Sequence, residues 1–116
     1  MATILIAEDE ARIADFIAKG LRKAGHEISI ATDGNSALEM SLSGDFDVML
    51  LDIGLPGRDG WSVLSELRAS SQLPVIVVTA FDGPEERNQS MALGANDFIP
   101  KPFRFQNLLS SIRRCL

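Results

Sequence analysis

Four short apolar runs in this chain each finish on a polar residue. Ile4-Leu5-Ile6-Ala7 leads to Glu8 and Asp9, Val48-Met49-Leu50-Leu51 to Asp52, Val75-Ile76-Val77-Val78 to Thr79, and Phe98-Ile99-Pro100 to Lys101. Short, unbroken apolar runs rich in β-branched residues read as strands buried on both faces. They predict strands over Thr3–Ala7, Asp47–Leu51, Val75–Val78 and Asp97–Ile99. Glu27–Ala31 alternates polar and apolar positions, which fits a half-exposed or edge strand.

The intervening segments carry helical periodicity. Glu10–Ala24 places Ile13, Phe16, Ile17, Leu21 and Ala24 on one face, and Gly25 is suited to its C-terminal cap. Asp33–Leu42 turns Ala37, Leu38 and Leu42 inward and stops at Gly44. The Gly- and Pro-rich stretch 54–60 is a loop, and Asp59 caps a helix over Gly60–Ala69 that buries Val63, Leu64 and Leu67. Asp82-Gly83-Pro84 predicts a capped start to a helix reaching about Leu93, ended by Gly94. Its Arg87, Asn88, Gln89 and Ser90 leave little to bury, so it is expected to be loosely held. A last helix, Arg104–Cys115, carries Leu108, Leu109 and Ile112, with Leu116 just beyond.

Strands alternating with helices imply βαβ units with right-handed crossovers, hence one α/β domain over residues 1–116. If the runs are neighbouring parallel strands, their polar ends meet at the carboxyl edge of the sheet, where open α/β folds build sites. An acid cluster, a hydroxyl and a lysine gathered there suggest Mg²⁺-dependent phosphoryl transfer to a carboxylate.

Bulk properties narrow the choice. The 116 residues suffice for a core without disulfides or metals as staples. A net charge of −5 argues against a grip on nucleic acid by this domain. The single cysteine, Cys115, cannot close an internal disulfide and suits a reducing compartment. No apolar stretch is long enough to span a membrane, and Met1-Ala2 leads straight into a strand-like run. The expectation is a cytoplasmic protein with no membrane partner. The single histidine, His26, leaves a His-based triad or zinc site short of parts and reads as structural.

The ordered segments ILIAEDE at 4–10, Gly25-His26, ATDG at 31–34, DVMLLDIGLPGRDG at 47–60, PVIVVTA at 74–80 and LGANDFIPKPF at 93–103 carry a resemblance. The chain resembles a response-regulator receiver domain of two-component signalling, most of all those of winged-helix transcription factors. The resemblance implies a flavodoxin-like, doubly wound sheet of five parallel strands in order 2-1-3-4-5 with five helices.

It also implies roles. Asp52 is the nucleophile that takes a phosphoryl group from a histidine kinase or phosphotransfer protein. Asp9 is a direct Mg²⁺ ligand, Glu8 acts largely through water, and the Gly54 carbonyl supplies a further oxygen; Mn²⁺ is the alternative ion. Lys101, aimed by a cis Lys101–Pro102 bond, pairs with Asp52 and then with the phosphoryl oxygens. Thr79 and Phe98 form the switch, the hydroxyl swinging to the phosphoryl group and the ring turning inward behind it. Small Ala80 leaves room for the group, and Phe81 partly covers the site. Read without the resemblance, Thr79 is an ordinary strand residue, Phe98 is core, and Trp61 is an amphipathic core edge. The output surface is expected on the fourth helix, fifth strand and fifth helix, controlling transcription.

Rival readings are a phosphatase like the haloacid dehalogenases, a flavodoxin-like binding module, and an unphosphorylated pseudo-receiver. The first lacks its second Asp, since Gly54 stands two residues after Asp52. The second wants a Ser/Thr-rich phosphate loop where Glu8-Asp9-Glu10 stands, and the third wants a broken acid pocket. The domain is expected to be no turnover enzyme beyond its own phosphorylation and slow dephosphorylation. Arg87 and Asp97 keep two charges of the dimer face that such receivers use, whereas Asn96, Asn107 and Ser111 depart from it. At most a weak homodimer on activation is expected.

Overall fold

The computed structural model describes all residues, Met1–Leu116. Strands β1 (Thr3–Ala7), β2 (Glu27–Ala31), β3 (Val48–Leu51), β4 (Val75–Thr79) and β5 (Asp97–Pro100) alternate with helices α1 (Ala11–Lys23), α2 (Gly34–Ser41), α3 (Gly60–Arg68), α4 (Pro84–Ala92) and α5 (Phe105–Cys115). All strand pairs are parallel, in order β2-β1-β3-β4-β5. The expected fold is borne out, with element ends moved by a residue or two.

Each face of the sheet has its own core. Leu5, Met49, Leu51, Val75 and Val77 meet Ala37, Val63, Leu64 and Leu67 on one side. Ile4, Ile6, Leu50 and Ile76 meet Ile17, Leu21, Leu108 and Ile112 on the other. The period-2 alternation of side chains is therefore apolar on both faces, which is why these strands read as continuous apolar runs. Edge strand β2 shows its position in its pattern, with only Ala31 fully buried.

Caps explain several ends. Asp33 Oδ1 accepts the Ser36 N–H at 2.8 Å, and this local bond holds the Asp33 carboxyl below the usual range. Asp59 Oδ1 accepts the Ser62 N–H at 2.8 Å, as expected. Gly25 follows α1 with φ +94°, a conformation costly for any residue with a Cβ.

Four expectations need correction. Phe16 is 54% exposed, because the buried stripe of α1 is Ala14, Ile17, Ala18 and Leu21 and residue 16 falls beside it. Its ring packs instead against Phe105 and Phe103, at centroid distances of 6.0 and 6.5 Å. Ala24 lies past the end of α1 and is exposed. Leu42 caps α2 in solvent, while Ser41 takes the buried position and donates its hydroxyl to Leu38 O at 2.9 Å. Asp82 caps nothing; Gly83 is the cap residue of α4 and offers no side-chain bond, though Pro84 does occupy the first turn.

Candidate functional site

The backbone itself brings the site together. Glu8, Asp52 and Lys101 each stand one residue beyond a strand, and the N–H of each closes the next hydrogen bond of the ladder. Glu8 N donates to Ala31 O at 3.0 Å, Asp52 N to Ala7 O at 3.1 Å, and Lys101 N to Thr79 O at 2.8 Å. Parallel register thus fixes three chemically active residues at one edge. The Lys101–Pro102 bond is cis, as expected.

Lys101 is the hub. Its Nζ donates to Glu8 Oε1 at 2.6 Å and to Asp52 Oδ2 at 3.2 Å. The lysine was expected to pair with Asp52; the shorter contact is to Glu8. That acid is held twice, because its other oxygen accepts the Glu10 N–H at 3.1 Å at the entry to α1. Glu8 is only 3% exposed and Asp52 only 7%. Burial pushes the Glu8 carboxyl above its ordinary value, against the lowering effect of Lys101. Burial would lower the Lys101 ammonium, but its hydrogen bond to Glu8 and the charges of Asp52 and Glu8 outweigh it and hold the lysine up.

Asp9 is exposed beside this pair, and one carboxylate oxygen each from Glu8, Asp9 and Asp52 lie within 4.8 Å of one another. Three hard anionic oxygens at that spacing, with room on the solvent side, fit a small divalent cation such as Mg²⁺. Gly54 N donates to Asp52 Oδ1 at 3.3 Å, which places the Gly54 backbone next to the same carboxylate.

Thr79 is fully buried, and its hydroxyl accepts the Phe81 N–H at 3.2 Å. Ala80 is exposed next to it. The Phe81 ring is 55% exposed and lies over Gly54, where a Cβ would meet it at 3.0 Å; it covers part of the mouth, as expected. Phe98 is buried in the core, with the Arg87 guanidinium 5.9 Å from its ring centre. His26 sits at the other end of β1, where Nδ1 accepts the Ala2 N–H at 3.0 Å, so its structural reading holds.

Asp97 and Arg87 do not converge with the acids; they lie on the β5 and α4 rim. The Ser111 hydroxyl donates to Asp97, and Arg114 pairs with it at 3.0 Å. Burial opposes ionisation of Asp97, but bonds from Ser111, the Phe98 N–H and Arg114 outweigh it and lower its proton affinity.

Two contributors escaped the sequence reading. Gly60 packs so close beneath Asp52 that a Cβ there would lie 2.4 Å from the Asp52 carbonyl oxygen. Its N–H donates to Ile53 O at 2.7 Å and folds α3 back under the strand end. Glycine after Asp59 was legible as a helix start, but its close approach was not. The second is Ser90, 0% exposed, which accepts the Trp61 indole N–H at 3.2 Å. Trp61 is otherwise the core edge expected of it.

Comparison with known proteins agrees with this geometry. The family model described as "Response regulator receiver domain" matches residues 4–113. The transcriptional regulatory protein HprR of Escherichia coli K12 is 42% identical over 95% of this chain and 49% of its own length. The sensory transduction protein RegX3 of Mycobacterium tuberculosis H37Rv is 42% identical over 100% of this chain and 51% of its own. The chain thus spans about half the length of the curated relatives it matches. Among solved structures, the receiver domain of the Francisella response regulator 1452 superposes with a TM-score of 0.94 at 30% identity, covering 99% of this chain and 96% of that one. The BeF3-activated N-terminal receiver domain of Klebsiella pneumoniae RstA gives 0.92 at 31% identity, covering 97% and 96%. No helix is long and apolar enough to cross a membrane.

Proposed function

The chain belongs to the response regulator receiver domain family, and on that premise we propose that Asp52 is its phosphoacceptor. The observation that carries this reading is Lys101 bridging Glu8 and Asp52 at the sheet edge, with Asp9 beside them.

In the proposed step an Asp52 carboxylate oxygen attacks the phosphorus of a phosphohistidine on a histidine kinase or phosphotransfer protein. The O–P bond forms, the P–N bond breaks, and the electron pair returns to the imidazole. Lys101 is already within reach of Asp52 and follows the charge onto the phosphoryl oxygens. Glu8, Asp9, Asp52 and the Gly54 carbonyl would hold Mg²⁺, or Mn²⁺ in its place, and the bound ion supplies positive charge to the phosphoryl oxygens. Thr79 gives up its bond from the Phe81 N–H and donates its hydroxyl to the new phosphoryl group. Phe98 is already buried in the core, so the expected inward turn of its ring is not needed for this step. The rim of α4, β5 and α5 then changes and passes the signal to an output, which we take to be transcription.

Several features support this reading over its rivals. Residue 54 offers no second acid for phosphatase chemistry, and the acid pocket is complete. The domain acts on its own Asp52 and turns over no other substrate. With a net charge of −5 it does not itself bind nucleic acid. An open groove of 470 Å³, lined by Ile13, Phe16, Pro102 and Phe103 beside Lys101, offers the phosphodonor an approach.

The test is intact mass after incubation with a small phosphodonor and Mg²⁺. One phosphoryl adduct is expected on the domain, and none on Asp52→Asn or in EDTA. An adduct that persists in either case overturns the assignment.

A further inference from the structure

Helix α4 is attached to the rest of the domain differently from the other helices. It buries no apolar residue; Ser90 alone is buried. The Ser90 hydroxyl accepts from Trp61 at 3.2 Å and donates to Glu86 O at 2.8 Å. Trp61 belongs to α3, which is anchored by Val63, Leu64 and Leu67. One side-chain hydrogen bond therefore joins a firmly packed helix to a loosely packed one.

The two ends of α4 are held unequally. Just past its C-terminal end, Arg68 of α3 donates to Gly94 O at 3.0 Å and to Asn96 Oδ1 at 3.1 Å. Its N-terminal end hangs from residues 80–83, whose link to β4 includes the Phe81 N–H bond to Thr79. Arg87 over Phe98 is a second side-chain tie, but at an exposed position such a contact is worth little. The geometry lets α4 swing about its pinned C-terminal end, with the buried Ser90 as the restraint along its length.

We propose that the Trp61–Ser90 hydrogen bond holds α4 in its present position, and that a signal arriving through Thr79 and the 80–83 loop acts against this bond. Trp61 is then a positioning residue of the switch. The second half of the statement rests on the phosphoacceptor reading; the first half does not.

The test is amide hydrogen exchange by NMR on the whole domain, using Ser90→Ala and, separately, Trp61→Phe, which keeps an aromatic ring at the core edge. Loss of one ordinary hydrogen bond should speed exchange of the α4 amides roughly 2- to 12-fold. Amides of β1 and β3 should be unchanged. Wild-type exchange in α4 for both variants would overturn the proposal, as would equal acceleration in the central strands, which would mark a general loss of stability. Beryllofluoride with Mg²⁺ should speed the same amides in the wild-type domain and shrink the increment from Ser90→Ala. A full, additive increment would overturn the claim that the signal acts against this bond. Loosening in the variants with no beryllofluoride response in the wild type would uphold the restraint and sink the phosphoacceptor reading.

Discussion

Helices α1 and α4 are the instructive pair. The first buries Ala14, Ile17, Ala18 and Leu21 against the sheet; the second buries only Ser90. Apolar burial is non-directional and close-packed, so α1 has one stable position and a cost for leaving it. A helix held by one buried hydroxyl and one exposed ring contact can move for the loss of little. α1 packs on β1 and β2, and α4 on β5. The domain therefore carries a firmly packed helix and a thinly packed one toward opposite sides of the sheet, and the difference in anchoring lies in residue type.

The largest expected effect is on stability. Leu21→Ala should lower the unfolding free energy by about 2–5 kcal/mol, as for a fully buried leucine. Met91→Ala on α4 should stay within about 0.5 kcal/mol, because Met91 is exposed. Urea denaturation of both variants measures this directly. Equal losses would show that α4 is as firmly anchored as α1.

Lys101→Ala sharpens the comparison from the site side. It leaves Glu8 buried without its partner, which should cost roughly 1–3 kcal/mol near neutral pH. It should keep Mg²⁺ binding yet lose most of the beryllofluoride-induced shift of α4 resonances in NMR. Normal activation of the variant would show that the lysine does not link site to helix.

Assembly gives a smaller effect. Asp97 is already bonded to Ser111 and Arg114, and Arg87 lies over Phe98, so both charges of the rim are engaged within the chain. Exposed pairs are worth about 0.2–1 kcal/mol each, too little to recruit a second copy tightly once they must be exchanged. Analytical ultracentrifugation at micromolar protein should show a monomer, and a weak dimer with beryllofluoride. A tight activated dimer lost on mutating Arg87 or Asp97 would reverse this view of the rim.

The smallest effect is in the acid limb of stability. Asp97 has a folded-state proton affinity below its unfolded one, so its bonds stabilise the fold above the ordinary carboxylate value and are lost as pH falls through the folded one. Asp97→Asn should therefore flatten the stability curve slightly below about pH 4. Urea midpoints that do not change across that range would show that the bonds from Ser111, the Phe98 N–H and Arg114 add nothing to stability.

Strands were legible because burial on both faces leaves unbroken apolar runs, and the candidate site was legible because each run ends on a polar residue that the sheet brings to one edge. Phe16 and Leu42 were misplaced for one reason: a stripe on a short helix is narrow, and a residue beside it or past the last turn looks the same in sequence. The preference of Lys101 for Glu8 was hidden because it depends on side-chain geometry across strands β1 and β5. Trp61 and Ser90 lie 29 positions apart on separate helices, with no periodicity to connect them.

The order of the strands also bears on how the chain folds. β1 pairs with β2 and β3 within the first 51 residues, and β4 and β5 are then added outward to one edge. A chain emerging from its N-terminus can build the sheet in that sequence without rearranging it. Glu8 and Asp52 follow the first and third strands, whereas the ammonium that bridges them follows the last. A chain truncated before Lys101 would therefore carry two carboxylates at this edge with no cation between them.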